Sequence, residues 1–242
     1  MERLDITLVP CLRDNYAYIL RCGETGAVAV VDPSVDVPVC DALDEAGLTP
    51  EAVLCTHHHG DHVGGVPGLL RRWPDLAVHG HASDRGRIRG QTVFHEDGDT
   101  FRLGTVELRV RHIPGHTRGA VAYAGAGEVF TGDTLFQAGC GRLFEGTPEM
   151  MYRSLNETLM SLPGETRVWC GHEYTVANLR YALHAEPDNA AARERLAWAE
   201  AERAAGRPTL PSTLDDERGF NPFVRAGSVE ELARRRAEKD VF

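Results

Sequence analysis

A layered α/β domain followed by a helical appendage is the fold the sequence predicts, and three observations predict it. Up to about residue 170, short apolar runs rich in β-branched residues are separated by Gly, Pro and Asp turns. Two helical patterns interrupt those runs early. After Glu173 the strand-like runs stop and helical periodicity takes over. Strands and helices first, then helices alone, is the signature of a mixed sheet domain with a helical extension, and no internal repeat argues for a solenoid.

Tyr16-Ala17-Tyr18-Ile19-Leu20, Ala27-Val28-Ala29-Val30-Val31, Ala52-Val53-Leu54-Cys55-Thr56 and Leu76-Ala77-Val78-His79 read as strands by length and branching. Residues 106–112 alternate apolar with charged side chains and read as a strand with one wet face. One helix is expected over 37–46, and a second from Asp61 through Leu69-Leu70 to Trp73, stopped by Pro74. Met150, Met151, Leu155, Leu159 and Leu162 recur at helical spacing over 148–162, where Pro163-Gly164 ends the run. Arg167-Val168-Trp169-Cys170 supplies one more strand. Helices are then expected over 175–185, 190–205 and 228–239, with a Pro-rich crossing at Pro208-Thr209-Leu210-Pro211.

The 242 residues are 42% hydrophobic and 26% charged, a globular composition that excludes disordered and low-complexity readings. The net charge of −10 opposes a phosphate backbone, so no nucleic-acid partner is expected. No stretch approaches the roughly 20 apolar residues of a membrane span, and Met1-Glu2-Arg3-Leu4-Asp5 lacks the apolar core of a signal peptide, so a cytoplasmic protein with no membrane partner is expected. Six scattered cysteines without a Cys-x-x-Cys pair are read as reduced thiols. Lys239 is the only lysine.

The strongest chemical signal is Thr56-His57-His58-His59-Gly60-Asp61-His62, at a strand-to-helix junction. In an extended segment alternate residues face one way, so His57 and His59 can present imidazoles to one ion while His58 points elsewhere. Gly60 turns the chain, and Asp61 and His62 can face a second ion from the opening of the helix. Further ligands are sought where a strand is followed by glycine and a His or Asp: Gly115-His116-Thr117, Gly132-Asp133-Thr134 and Gly171-His172-Glu173 fit. His79-Gly80-His81 has the alternate spacing but no such context, and His58, His95, His112 and His184 are read as structural.

The Thr-His-x-His-x-Asp-His run with its spaced His, Asp and His resembles the metallo-β-lactamase superfamily. Further runs resemble glyoxalase II, the hydroxyacylglutathione hydrolases: Asp14-Asn15-Tyr16, Gly132-Asp133-Thr134-Leu135-Phe136, Gly139-Cys140-Gly141-Arg142-Leu143-Phe144-Glu145-Gly146-Thr147, residues 170–179 from Cys170-Gly171-His172-Glu173-Tyr174 onward, and Glu238-Lys239-Asp240. The resemblance runs end to end. It implies an αββα sandwich over 1–172 and a helical substrate-binding domain over 173–242. It implies that His57, His59 and His116 hold one ion, that Asp61, His62 and His172 hold another, and that Asp133 bridges them. It also implies that Arg142, Phe144, Tyr174, Arg236 and Lys239 bind glutathione. Some family members carry tyrosine where this chain has Phe144, which removes a hydroxyl from the substrate contacts.

Two divalent ions about 3.5–4 Å apart can share a water and lower its pKa toward neutrality, supplying a hydroxide to attack a thioester carbon. The thiolate leaving group, with a thiol pKa of about 8.5, needs no dedicated general acid. The catalytic candidates are Asp61, able to orient the nucleophile or carry its proton, and Asp133, through the bridging position that the resemblance implies, and Cys140 is read as packing. The ligands lack thiolate and suit zinc, iron or manganese, with zinc the expected metal. The implied activity is hydrolysis of S-(2-hydroxyacyl)glutathione thioesters such as S-D-lactoylglutathione, the second step of methylglyoxal detoxification, by a monomer. Arg236 and Lys239, three apart on one helical face, are candidates for the glycine carboxylate, whereas Arg234 and Arg235 are read as solvated. A lactonase and a mono-iron glutathione-persulfide dioxygenase are the alternatives, and the helical last third argues against both.

Overall fold

The computed structural model describes residues 3–242, which divide into two compact units, one of residues 3–112 with 119–132 and one of residues 113–118 with 133–242. In the first unit β1 (Leu4–Cys11) turns at Leu12 into β2 (Asn15–Cys22), and β3 (Val28–Val31) pairs antiparallel with β2. The chain then crosses through α1 (Asp36–Glu45) to β4 (Ala52–Leu54), through α2 (Gly60–Val63) and α3 (Val66–Arg72) to β5 (Ala77–His81), and on to β6 (Val93–His95), each strand parallel to the one before. Val39 and Leu43 of α1 and Val66 and Leu69 of α3 cover one face of this sheet, over Val9, Ile19, Val30, Val53 and Val78.

A second, antiparallel set follows: β7 (Thr100–Leu103), β8 (Val106–His112), β9 (Val121–Gly125) and β10 (Glu128–Gly132). Side chains of the two sets meet. Tyr18 of β2 lies against Phe130 of β10, His79 of β5 against Phe101 of β7, and the Tyr123 hydroxyl of β9 donates to the Cys55 carbonyl at 3.1 Å. Because β2 is buried on both faces, its sequence reads as one apolar run instead of alternating.

Two expectations change here. The single helix expected over 61–73 is two helices, because the chain packs its backbone against residues 33–36 at the break: a Cβ on Gly64 would lie 2.6 Å from the Ser34 carbonyl. β4 ends at Leu54, two residues early, since the Thr56 N–H turns to the Asp32 carboxylate instead of a neighbouring strand.

In the second unit β11 (Leu135–Phe136) and β12 (Gly139–Cys140) form a small hairpin. The helical run expected over 148–162 starts as α4 (Pro148–Tyr152), widens to π-type bonding over 153–158 and tightens to a 3₁₀ turn at 159–161, with Met151, Leu155 and Leu159 buried. Within the widened turn the Ser154 hydroxyl donates to the Pro114 carbonyl at 2.7 Å. β13 (Arg167–Cys170) leads to α5 (Thr175–Ala185) and α6 (Ala190–Ala204), then β14 (Ser212–Thr213) returns to pair with β13. α7 (Leu214–Phe220) and α8 (Val229–Val241) complete the unit. Leu179, Ala182, Ala192, Ala199 and Phe220 form the core among α5, α6 and α7. α7 lies where the sequence pattern leads to no expected helix, although Thr213 and Asp216 form a capping box at its start.

Candidate metal centre

The seven predicted ligands fall into two groups, one in each unit. In the first unit the loop between β4 and α2 carries His57, His59, Asp61 and His62, and its shape is set by Asp32. That carboxylate, in a left-handed residue at the end of β3 (φ 46°), accepts from the Thr56 N–H at 2.7 Å, the Thr56 hydroxyl at 2.6 Å and His62 Nδ1 at 2.9 Å. The Thr56 hydroxyl, its proton committed to Asp32, accepts from His57 Nδ1 at 3.1 Å. Both Nδ1 atoms of His57 and His62 therefore carry their protons, which leaves each Nε2 with a lone pair for a metal.

His57 Nε2 and His59 Nδ1 converge to 3.1 Å. Two imidazole nitrogens bound to one tetrahedral ion at about 2.0–2.1 Å stand roughly 3.3 Å apart, so this spacing suits a shared ion. Asp61, on the first turn of α2, has Oδ2 3.2 Å from Asn15 Nδ2 and 3.9 Å from His62 Nε2, and the same Asn15 amide holds the Asp61 carbonyl at 3.0 Å. Asp32, His57 and His62, all buried, also bring ligand atoms within 4.8 Å of one another, but Asp32 is occupied in orienting the others. His58 points away: its Nδ1 is 3.2 Å from Asp84 and its Nε2 2.5 Å from Arg87.

In the second unit Asp133 Oδ2 stands 3.6 Å from His116 Nε2 and 3.4 Å from His172 Nε2, and all three residues are buried. His116 Nδ1 donates to the Arg142 carbonyl at 2.8 Å, so its Nε2 is the ligating nitrogen. The ring of Tyr174 stacks on His172 at 4.6 Å, with the edge of Phe136 at 5.9 Å. Gly141 is required where it is, because a Cβ there would lie 2.1 Å from the Asp133 carbonyl and 2.7 Å from His116 Nδ1. The first group offers the buried rings of His57 and His62, their tautomers set by Thr56 and Asp32, beside the half-buried His59 and Asp61, and the second offers the buried His116, His172 and Asp133; neither contains thiolate, and both fit divalent metal ions.

The predicted substrate contacts all lie in the second unit. Phe144 is 62% exposed, its ring edge toward His116 at 5.2 Å. Arg236 is turned inward, donating to the Cys140 carbonyl at 2.7 Å and to Asp240 Oδ1 at 2.9 Å. The more exposed Arg142 approaches the same Asp240 oxygen at 3.4 Å, so Asp240 joins the two guanidinium groups. Lys239 donates to Asn178 Oδ1 and sits over the rings of Tyr181 and Phe223, where burial, helped by the neighbouring Arg236, lowers its pKa to about 7. Arg235, expected in solvent, is instead 7% exposed and donates to Glu186 at 2.7 Å and Glu231 at 2.6 Å, because α8 turns that face toward the acidic end of α5. Arg234 alone of the pair stays exposed, beside Glu238.

The histidines set aside in sequence also find structural roles. His79 and His95 stack and share a 2.9 Å nitrogen contact, and burial lowers His79 to about 4. His81 stacks on His112 and bonds Ser83. Cys140 is buried, with its thiol pKa pushed up, which suits packing and not attack. All six cysteines are free.

The family described as "Metallo-beta-lactamase superfamily" matches residues 12–172, and that described as "Hydroxyacylglutathione hydrolase C-terminus" matches residues 173–242. The chain is 52% identical over 222 residues to a hydroxyacylglutathione hydrolase of Synechococcus sp. (strain JA-3-3Ab), covering 91% of this chain and 88% of that one. Its fold is similar to ETHE1 from Myxococcus xanthus (TM-score 0.71, 27% identity, 98% and 90% of the two chains). It is also similar to TTHA1623, described in a di-iron-bound form (TM-score 0.61, 28% identity, 90% and 99% of the two chains).

Proposed function

The chain belongs to the hydroxyacylglutathione hydrolases of the metallo-β-lactamase superfamily, and from that premise we infer that it hydrolyses S-(2-hydroxyacyl)glutathione thioesters, S-D-lactoylglutathione among them, to glutathione and a 2-hydroxy acid. The observation that carries this reading is the match of residues 173–242 to the hydroxyacylglutathione hydrolase C-terminus, joined to a superfamily match over residues 12–172, the stretch that contains the seven candidate His and Asp ligands.

His57, His59 and His116 would hold one divalent ion, Asp61, His62 and His172 a second, with Asp133 shared, and zinc is the metal we assign in preference to iron or manganese. When bound, such a pair of ions lowers the pKa of a water toward neutrality and polarises the thioester carbonyl. The chain's own part is orientation. Asp32 holds His62 and, through Thr56, His57, and the Arg142 carbonyl holds His116. Asp61, steadied by Asn15, is the carboxylate best supported for orienting the nucleophile and holding its proton. The thiolate of glutathione departs without an acid.

Arg142, Lys239 and the exposed faces of Phe144 and Tyr174 offer glutathione a cationic and aromatic surface in a chain of net charge −10. Arg236 supports that surface through Cys140 and Asp240 more than it extends it. No helix among the described residues is long and apolar enough to cross a membrane. Six free cysteines are in keeping with a reducing compartment, and we place the protein in the cytoplasm as a monomer. The testing experiment is turnover of a panel of glutathione thioesters, lactones and glutathione persulfide by one purified sample. Thioester hydrolysis well above the other two is the expected result. Lactone hydrolysis alone, or oxygen uptake on the persulfide, would replace this reading with one of its rivals.

A further inference from the structure

The turn of the β11–β12 hairpin is tied down by side chains from far along the chain. Leu135–Phe136 pairs with Gly139–Cys140, leaving Gln137 and Ala138 as the turn. Ala138 sits at φ 57°, a backbone conformation that an L residue with a side chain keeps only where its surroundings impose it. Its N–H donates to Glu217 Oε2 at 2.9 Å. The same oxygen accepts from Asn221 Nδ2 at 2.8 Å, and Glu217 Oε1 accepts from the Ser212 hydroxyl at 2.6 Å. Asn221 Nδ2 also reaches the carbonyls of Phe136 and Gly139, at 3.2 and 3.0 Å, and Asn178 Nδ2 reaches that of Gln137 at 2.9 Å.

Glu217 is 0% exposed, and the groups donating to it are neutral. A carboxylate held this way costs more than an apolar side chain of the same size would, so its presence asks for a reason beyond filling space. The two arms of the hairpin supply one. The first begins two residues after Asp133. The second runs into Gly141, packed on the Asp133 carbonyl and the His116 ring, and then into Arg142, whose carbonyl takes the His116 Nδ1 proton. Moving the turn moves the Asp133 backbone and the acceptor of His116 together.

We infer that Glu217 is a positioning residue: through the Ala138 N–H it sets where the β11–β12 hairpin presents Asp133 and the Arg142 carbonyl that orients His116. This rests on the reading of His116 and Asp133 as metal ligands. The test compares zinc affinity, measured by competition with a chromophoric chelator, and KM and kcat in wild type, Glu217→Ala, Glu217→Gln and Ser212→Ala. Residues that orient ligands typically govern about ten- to a hundredfold in metal affinity, so Glu217→Ala should bind zinc at least tenfold more weakly. Glu217→Gln keeps an oxygen for the Ala138 N–H and should stay within about threefold of wild type. Ser212→Ala loosens the same carboxylate on the side away from the hairpin, and should lower the unfolding temperature without weakening zinc.

Should Glu217→Ala fail to fold, Glu217→Asp, too short to reach Ala138, is read in its place. Folded Glu217→Ala with wild-type zinc affinity overturns the inference. So does Ser212→Ala weakening zinc as much as Glu217→Ala, or Glu217→Gln as impaired as Glu217→Ala. Wild-type protein that binds no zinc overturns the metal-centre reading and this inference with it, so the two failures are distinguishable.

Discussion

Asp32 Oδ2 lies 2.9 Å from Nδ1 of His62, joining a carboxylate at the end of β3 to a histidine of α2 thirty residues on. The same carboxylate holds Thr56, and through it His57, so one side chain fixes the tautomer of two ligands. Replacing Asp32 with alanine should weaken metal binding by about ten- to a hundredfold, the usual effect of losing a group that orients a ligand. Chelator competition on the purified variant checks this, and wild-type affinity would show that the histidines are oriented without Asp32.

Lys239 predicts a pH dependence. Its pKa is lowered to about 7, chiefly by burial. The ammonium form, which attracts a carboxylate, therefore dominates below about pH 7 and is lost as pH rises through that value. KM for a glutathione thioester should rise between pH 6 and 9, and Lys239→Gln should flatten the profile. Lys239→Ala should lower kcat/KM roughly ten- to a hundredfold, mostly through KM, for a charge-assisted bond of about 1.5–3 kcal/mol. A thioester without the glycine carboxylate is the control. Equal slowing of both substrates would assign Lys239 to stability alone.

Phe144→Tyr restores a hydroxyl on an exposed ring beside His116. One added hydrogen bond, worth about 0.5–1.5 kcal/mol net, should lower KM about two- to tenfold with kcat nearly unchanged. Steady-state kinetics decides it, and an unchanged KM would place the substrate away from this ring.

Glu217 carries a stability prediction independent of the metal. Burial raises its pKa from about 4.5 to about 7. The native state then holds a proton that the unfolded chain releases between those values, so this group's contribution is full below pH 4.5 and is lost as pH rises through about 7. Glu217→Gln, which cannot ionise, should melt higher than wild type at pH 8 and show a shrinking advantage toward pH 5. Melting curves at the two pH values suffice, and a variant less stable than wild type at pH 8 contradicts it.

Much of this was legible in the sequence where a local pattern carries it. The run from Thr56 to His62 announces itself because its ligands are neighbours, and His116, Asp133 and His172 each follow a strand and a glycine. Asp32 and Glu217 announced nothing. Each acts on a segment distant in sequence, Asp32 on Thr56 and His62, Glu217 on Ala138, and a lone carboxylate after a strand or inside a short polar helix has no periodicity to mark it. The split between α2 and α3 was hidden for the same reason, since it depends on what Gly64 packs against. Arg235 reads as solvated in the sequence because its partner Glu186, just past the end of α5, is distant along the chain.

Whether bound metal carries the thioester hydrolysis is decided by metal content and S-D-lactoylglutathione turnover measured on one sample, before chelation, after it, and after zinc is returned. Two equivalents of divalent metal per chain are expected, with turnover abolished by chelation and restored by zinc. Turnover unchanged in fully metal-free protein would contradict this.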